Sequence, residues 1–101
     1  MSINKEKKMQ KLNYELIKNK IDELKSSIED CNVQMLYIYG YSCDKNKFSN
    51  LFLKFEPETQ NISNVIKVFN QNKKKYKYIS IGVRYNAYQR LGDRDIYILK
   101  N

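Results

Sequence analysis

"YKYISIGVR", residues 76–84, alternates without a break, with Ile79, Ile81 and Val83 on one side of an extended chain and Tyr76, Tyr78, Ser80 and Gly82 on the other. Period-two alternation marks a strand with one face in the core and one face outside it. This reading decides the fold, because a half-covered strand needs sheet neighbours and a covering layer on one side only. "DIYILK", residues 95–100, supplies one neighbour, placing Ile96 and Ile98 on one side and Tyr97 and Leu99 on the other. The window between the two strands is either a short helix closed by Gly92 or the far end of a long hairpin turning at Gly92–Asp93. A two-residue Gly-X turn is a hairpin signal and favours the second.

Upstream of the solvated stretch "NQNKKK", Ile62, Val65, Ile66 and Phe69 follow the i, i+3, i+4, i+7 spacing of an amphipathic helix over about 58–71. Pro57 suits its first turn, and Glu56 and Glu58 sit beside its positive end. "FSNLFLKF" (48–55) and "VQMLYIYGY" (33–41) read as two further strands, joined through Gly40 and the polar loop "SCDKNK". From about residue 4 to 30, Met9, Leu12, Leu16, Ile17, Ile21, Leu24 and Ile28 recur at three- and four-residue steps, the pattern of one long helix. The order αββαββ predicts a single α+β domain over residues 1–101, a four-stranded antiparallel sheet with two helices packed on one face. A chain of 101 residues leaves no room for a second core.

Two helices cover one sheet face, so the other meets water or a partner. With Leu36, Ile38, Leu51, Leu53, Phe55, Ile79, Ile81, Val83, Ile96 and Ile98 turned to the helices, strand parity sends Tyr37, Tyr39, Tyr41, Phe48, Phe52, Tyr76, Tyr78 and Tyr97 to the open side. Next to it, "RYNAYQRLGDRD" (84–95) holds all three arginines, Arg84, Arg90 and Arg94, together with Tyr85 and Tyr88. In a chain that otherwise writes positive charge as lysine, arginine suggests use of its planar fork of donors, which grips phosphate bidentately or stacks on rings. Lys73, Lys74 and Lys75 add point charges. Aromatic rings with cationic neighbours stack bases and hold phosphates. Tyr and Arg are also the usual material of protein interfaces, and aromatic pairs stabilise a solvated sheet by themselves. The arrangement resembles the RNA-recognition sheet in a general way, although that domain runs βαββαβ and carries aromatic–glycine motifs that this chain lacks.

The balance of 19 Lys and Arg against 11 Asp and Glu, +8, favours a polyanionic partner. No apolar run approaches the roughly 20 residues of a membrane span, and the charged start does not read as a signal peptide. The expectation is a soluble, cytoplasmic product with no membrane role. Cys31 and Cys43 are two free thiols on this reading, and with histidine absent there is no Cys/His zinc set and no imidazole base. No cofactor, metal or small-molecule substrate is expected. The first predicted helix carries six lysines against Glu6 and Glu15 over residues 1–20, and Asp22, Glu23, Glu29 and Asp30 against Lys25 over residues 21–31. That order opposes the helix dipole. Either a polyanion near the basic start fixes it, or the lysines simply solvate a terminus.

These features point to a non-enzymatic binding protein that engages RNA, single-stranded DNA or a nucleoprotein complex through a Tyr/Arg-rich sheet face, with a homodimer as a further option. Two alternatives accompany it. Size, single domain and a composition rich in Lys, Asn, Ile and Tyr, the kind an AT-rich genome encodes, resemble those of anti-CRISPR inhibitors, which implies docking on a host defence nucleoprotein by protein contact. Small ribosome-dependent ribonuclease toxins of the RelE type are also short, basic α+β proteins working without histidine; that likeness implies a catalytic role for Arg84, Tyr85, Tyr88 and Arg90, although their helices precede a run of consecutive strands. Asp93 and Asp95 read either as a weak divalent-ion pair or as partners of Arg90 and Arg94 that shape the turn.

Overall fold

The computed structural model describes residues 11–88 and 90–101. Asn13 is extended (φ −153°, ψ 175°) and its side chain accepts from the Leu16 N–H at 2.9 Å, the geometry of an N-cap. Helix α1 therefore begins at Tyr14 and runs Tyr14–Ser27, shorter than the 4–30 expected from periodicity. Leu12 precedes the cap, and Ile28 and Asp30 (φ 57°) turn the chain toward the sheet. Residues 4–10, Met9 included, lie outside the described residues. The second helix, α2, spans Thr59–Asn72, one residue later than predicted. It buries Ile62, Val65 and Phe69 beside Ile17 and Leu24 of α1.

The four strands are β1 (Asn32–Asp44), β2 (Lys47–Phe55), β3 (Tyr78–Ala87) and β4 (Arg90–Lys100). All pairings are antiparallel, in the order β2-β1-β3-β4. As expected from the sequence, this is an α+β domain of order αββαββ with one core. Two boundaries move. The expected loop 42–47 is strand except for a two-residue turn, in which Lys45 takes φ 51°. The β3–β4 hairpin turns four residues earlier than Gly92–Asp93, at Tyr88 (φ 51°), just past the last pair Ala87 with Arg90, while Gly92 lies inside β4 opposite Tyr85.

None of the three glycines makes a turn or takes positive φ. Each instead lies beneath a tyrosine. A Cβ on Gly82 would fall inside the Tyr37 ring, one on Gly92 would come within 2.5 Å of Tyr85 Cζ, and one on Gly40 would lie 3.1 Å from Tyr76 Cγ. Missing side chains in three strands thus become seats for rings. On the helix side, Leu36, Ile38, Ile79, Ile81, Val83 and Ile96 complete the core with the helices. At ~1.5–3 kcal/mol per buried aliphatic side chain, this layer holds the sheet to α1 and α2 and leaves its reverse bare. Among the described residues, no helix is long and apolar enough to cross a membrane.

Candidate functional site

Register sorts the rings. Tyr37, Tyr39 and Tyr41 of β1 face Gly82, Ser80 and Tyr78 of β3 on one flank and Lys54, Phe52 and Asn50 of β2 on the other, while Phe48 stands opposite Cys43. These positions share the face opposite the core, as parity predicted for six aromatics: Tyr37, Tyr39, Tyr41, Phe48, Phe52 and Tyr78. Two of the eight aromatic assignments, Tyr97 and Tyr76, are corrected, and with Tyr97 go its neighbours Ile98 and Leu99. Between Ile81↔Tyr97 and Gly82↔Asp95 the ladder slips by one residue, so Ile96 is the extra residue of a bulge. Beyond it parity inverts. Tyr97 turns to the helix side and meets Phe69 edge-on at 5.6 Å, and Ile98 turns to the open side instead of the core. Tyr76 lies ahead of β3, over Gly40 on the helix side.

On the open side the rings form a ladder across three strands. Tyr41 stacks on Tyr78 (5.2 Å, 27°) and on Phe48 (6.5 Å, 24°), with Tyr39 tilted against both Tyr41 (6.0 Å) and Tyr78 (6.3 Å). Tyr37 and Phe52 approach to 5.6 Å, and Lys54 Nζ lies 5.9 Å from the Phe52 ring centre. Phe48 is 63% exposed, Phe52 43% and Tyr41 38%. Rings offered to solvent in contact with one another present planar surface already ordered, so a stacking ligand meets little entropic cost on arrival.

Beside the ladder lies a network that sequence reasoning missed. The Asp95 carboxylate accepts from three hydroxyls, Tyr78 at 2.8 Å, Tyr37 at 3.1 Å and Ser80 at 3.3 Å. Tyr37 reaches it by lying across Gly82, and this leaves Tyr37 only 7% exposed although it is on the open face. Burial, reinforced by the Asp95 charge and hydrogen bond, pushes the Tyr37 phenol well above the usual range; Tyr78 is raised by the same causes. Both hydroxyls stay protonated and donate. The only sequence signal was that Tyr78 and Ser80 share parity. The bulge that brings Asp95 to their face has none.

The arginine window does not converge. Arg84 is on the open face, held bidentately by Asp93 (Nε 2.7 Å, Nη2 3.1 Å), and the guanidinium holds that carboxyl below its ordinary value. Asp93 thus pairs with Arg84, not with Arg90 or Arg94. Arg94 pairs in register with Val83 on the other face and lines a hollow with Lys20, Glu23 and Ser27 of α1. Arg90 stands opposite Ala87 at the hairpin end, Tyr85 packs over Gly92, and Tyr88 is the turn residue, 68% exposed. Arg84, Tyr85, Tyr88 and Arg90 therefore share no face. Lys73, Lys74 and Lys75 follow α2 at the opposite end of the molecule from the arginines. Cys31 and Cys43 are free, and no cluster of metal-ligand residues occurs among the described residues.

No family model matches this chain, and comparison with curated proteins and with solved structures finds no match. The reading of the site rests on its own geometry.

Proposed function

We propose that this protein binds single-stranded nucleic acid, RNA or DNA, in a non-catalytic role, with the Tyr39, Tyr41, Phe48, Phe52 and Tyr78 rings as the stacking platform. The observation that carries the reading is the exposed ladder itself: contacting rings on the face that neither helix covers. Stacking is worth ~1–3 kcal/mol per base on alanine substitution and tolerates any sequence. The net charge of +8 supplies long-range attraction for a polyanion. Relative to the sequence expectation, the contact set shrinks: Tyr76 and Tyr97 leave it, and the paired Arg84 is no longer an open phosphate fork.

The test is fluorescence anisotropy with a labelled oligonucleotide, paired with quenching of the intrinsic tyrosine emission. Tyr41→Ala and Phe48→Ala are each expected to weaken binding ~5- to 150-fold, the equivalent of one lost base stack. Unchanged affinity in both would remove the platform. A second reading, docking on a protein of a nucleoprotein complex as an inhibitor does, draws on the near balance of the open face, where Lys54, Arg84 and Lys100 stand against Asp93 and Asp95. No binding to any oligonucleotide at low salt would put that reading first.

A further inference from the structure

We infer that the phosphodiester backbone of the ligand is taken up along a lysine rim at one end of the sheet, and not by the arginines. The inference rests on the reading of the ring ladder as a base-stacking platform.

Topology gathers the rim from distant parts of the chain. In the order β2-β1-β3-β4, the end of β1, the start of β2, the start of β3 and the end of β4 meet at one edge of the sheet, because Asp44 pairs with Lys47, Tyr41 with Tyr78 and Tyr78 with Lys100. That edge carries Lys45, Lys47, Lys77 and Lys100, all exposed. Helix α2 delivers its end there too. The Asn101 side chain donates to the Lys73 carbonyl at 2.7 Å and to the Tyr76 carbonyl at 2.6 Å. Asn101 N–H donates to the Lys77 carbonyl at 2.8 Å, and Lys77 N–H donates to Ser42 Oγ at 2.8 Å. Lys73–Lys77 is thus pinned by its backbone to the strand ends, at the same end of the sheet at which Tyr41, Phe48 and Tyr78 stand on the open face. Asp44 is the acid among them. The other end of the sheet holds Asp93, Glu56 and Glu58 together with Glu29 and Asp30, so the arginines there have carboxylates for company. Pinning like charges together raises mutual repulsion that an anion relieves. A backbone crossing this rim would place its bases over the ladder.

Salt dependence separates phosphate contacts from stacking. For single strands log K falls with log salt by about 0.7 for each neutralised phosphate. Binding of labelled oligothymidylate across a salt series is therefore measured for Lys47→Ala, Lys77→Ala, Lys100→Ala, Arg90→Ala, Arg94→Ala and Tyr41→Ala. The rim variants are expected to lower the slope by about 0.7 per lost phosphate contact. The two arginine variants leave it unchanged, and Tyr41→Ala weakens binding with the slope intact. Rim variants that keep the full slope, or arginine variants that reduce it, overturn the inference while a loss in Tyr41→Ala still supports the platform. Should Tyr41→Ala bind like the parent, the platform reading fails, and this inference falls with it. Circular dichroism melts of each variant confirm that surface lysine changes leave the fold intact.

Discussion

Gly82→Ala is expected to be among the most damaging single-methyl additions this fold can receive. The backbone at Gly82 is ordinary strand, so alanine meets no φ penalty and would by itself return ~0.4–1 kcal/mol of unfolded-chain entropy. The new Cβ, however, lands inside the Tyr37 ring, within 2.5 Å of Cε1 and nearer still to Cζ and the hydroxyl. The clashing atoms belong to a ring wedged between Phe52 and Asp95, so the conflict is resolved only by swinging Tyr37 out. Overpacking of this kind costs ~1–3 kcal/mol, and losing the hydroxyl bond to the carboxylate costs ~1.5–3 kcal/mol. These overlap in part, and after the entropy credit the net loss is about 2–4 kcal/mol. Urea unfolding reads it as a lowered midpoint. The decisive arm is a double-mutant cycle with Tyr37→Val, which keeps strand propensity and removes the ring. In that background Gly82→Ala is expected to be neutral or stabilising. An equal cost in both backgrounds, or a Gly82→Ala protein within ~0.5 kcal/mol of the parent, refutes the account of glycine as a ring seat.

Two further outcomes follow from local geometry. Asn13→Ala removes the side-chain N-cap of α1 and is expected to cost ~1 kcal/mol, read in the same urea assay, with Asn13→Ser or Asn13→Asp recovering most of it. Stability should also decline in alkali: the Tyr37, Tyr78 and Tyr97 phenols are all raised above their ordinary value by burial, with Asp95 adding to the first two. A raised folded value means that the stabilisation is fully present below the unfolded phenol value of about 10 and is lost as pH climbs through the folded values. Thermal melts from neutral pH upward, followed with tyrosinate absorbance, should show unfolding coupled to the ionisation of these rings; a melting temperature unchanged above that value speaks against it.

Parity was legible wherever alternation ran unbroken. In β2, most of β3 and β1 beyond the irregularity between Val33 and Met35, each residue falls on the side its neighbours imply, so six of the eight open-face aromatics were readable from spacing. The assignment failed at Tyr97 because a bulge is a property of two strands, and the run from Asp95 to Lys100 looks regular until β3 fixes its register. The glycines misled for a related reason. Gly40 and Gly92 were read as turn residues for their conformational freedom, whereas the sheet uses their empty volume, and a ring seated on a glycine of the neighbouring strand leaves no pattern within either strand. The turns fell to Lys45 and Tyr88, residue types with no particular claim to positive φ. Rarity of arginine was a signal about composition with no geometry in it. One arginine went into an ion pair on the open face and another to the far side of the sheet.

The apparent reversal of charge along the first helix resolves in the same way. Over residues 1–31 bases come first and acids last, against the helix dipole. Once the helix is bounded at Tyr14 and Ser27, its first turn holds Glu15 and its last turn Lys25, which is the favourable order. Lys18, Lys20, Asp22 and Glu23 lie in the middle of the helix, away from its end turns, and the remaining offenders stand outside it: Lys11 ahead of the cap, Glu29 and Asp30 beyond the end. They follow the ends of the molecule instead. Lys11 lines a hollow with Lys73 and Lys74, so the start of α1 meets the finish of α2 at the basic rim, while Glu29 and Asp30 lead into β1 at the end that carries Asp93. Local helix energetics therefore accounts for the charges in the end turns of α1 and leaves those flanking it unexplained. The flanking charges instead follow the distribution along the strands, lysines at the end where Tyr41 stacks on Tyr78 and carboxylates at the other; under the proposed reading such a separation would orient an approaching polyanion before any contact forms.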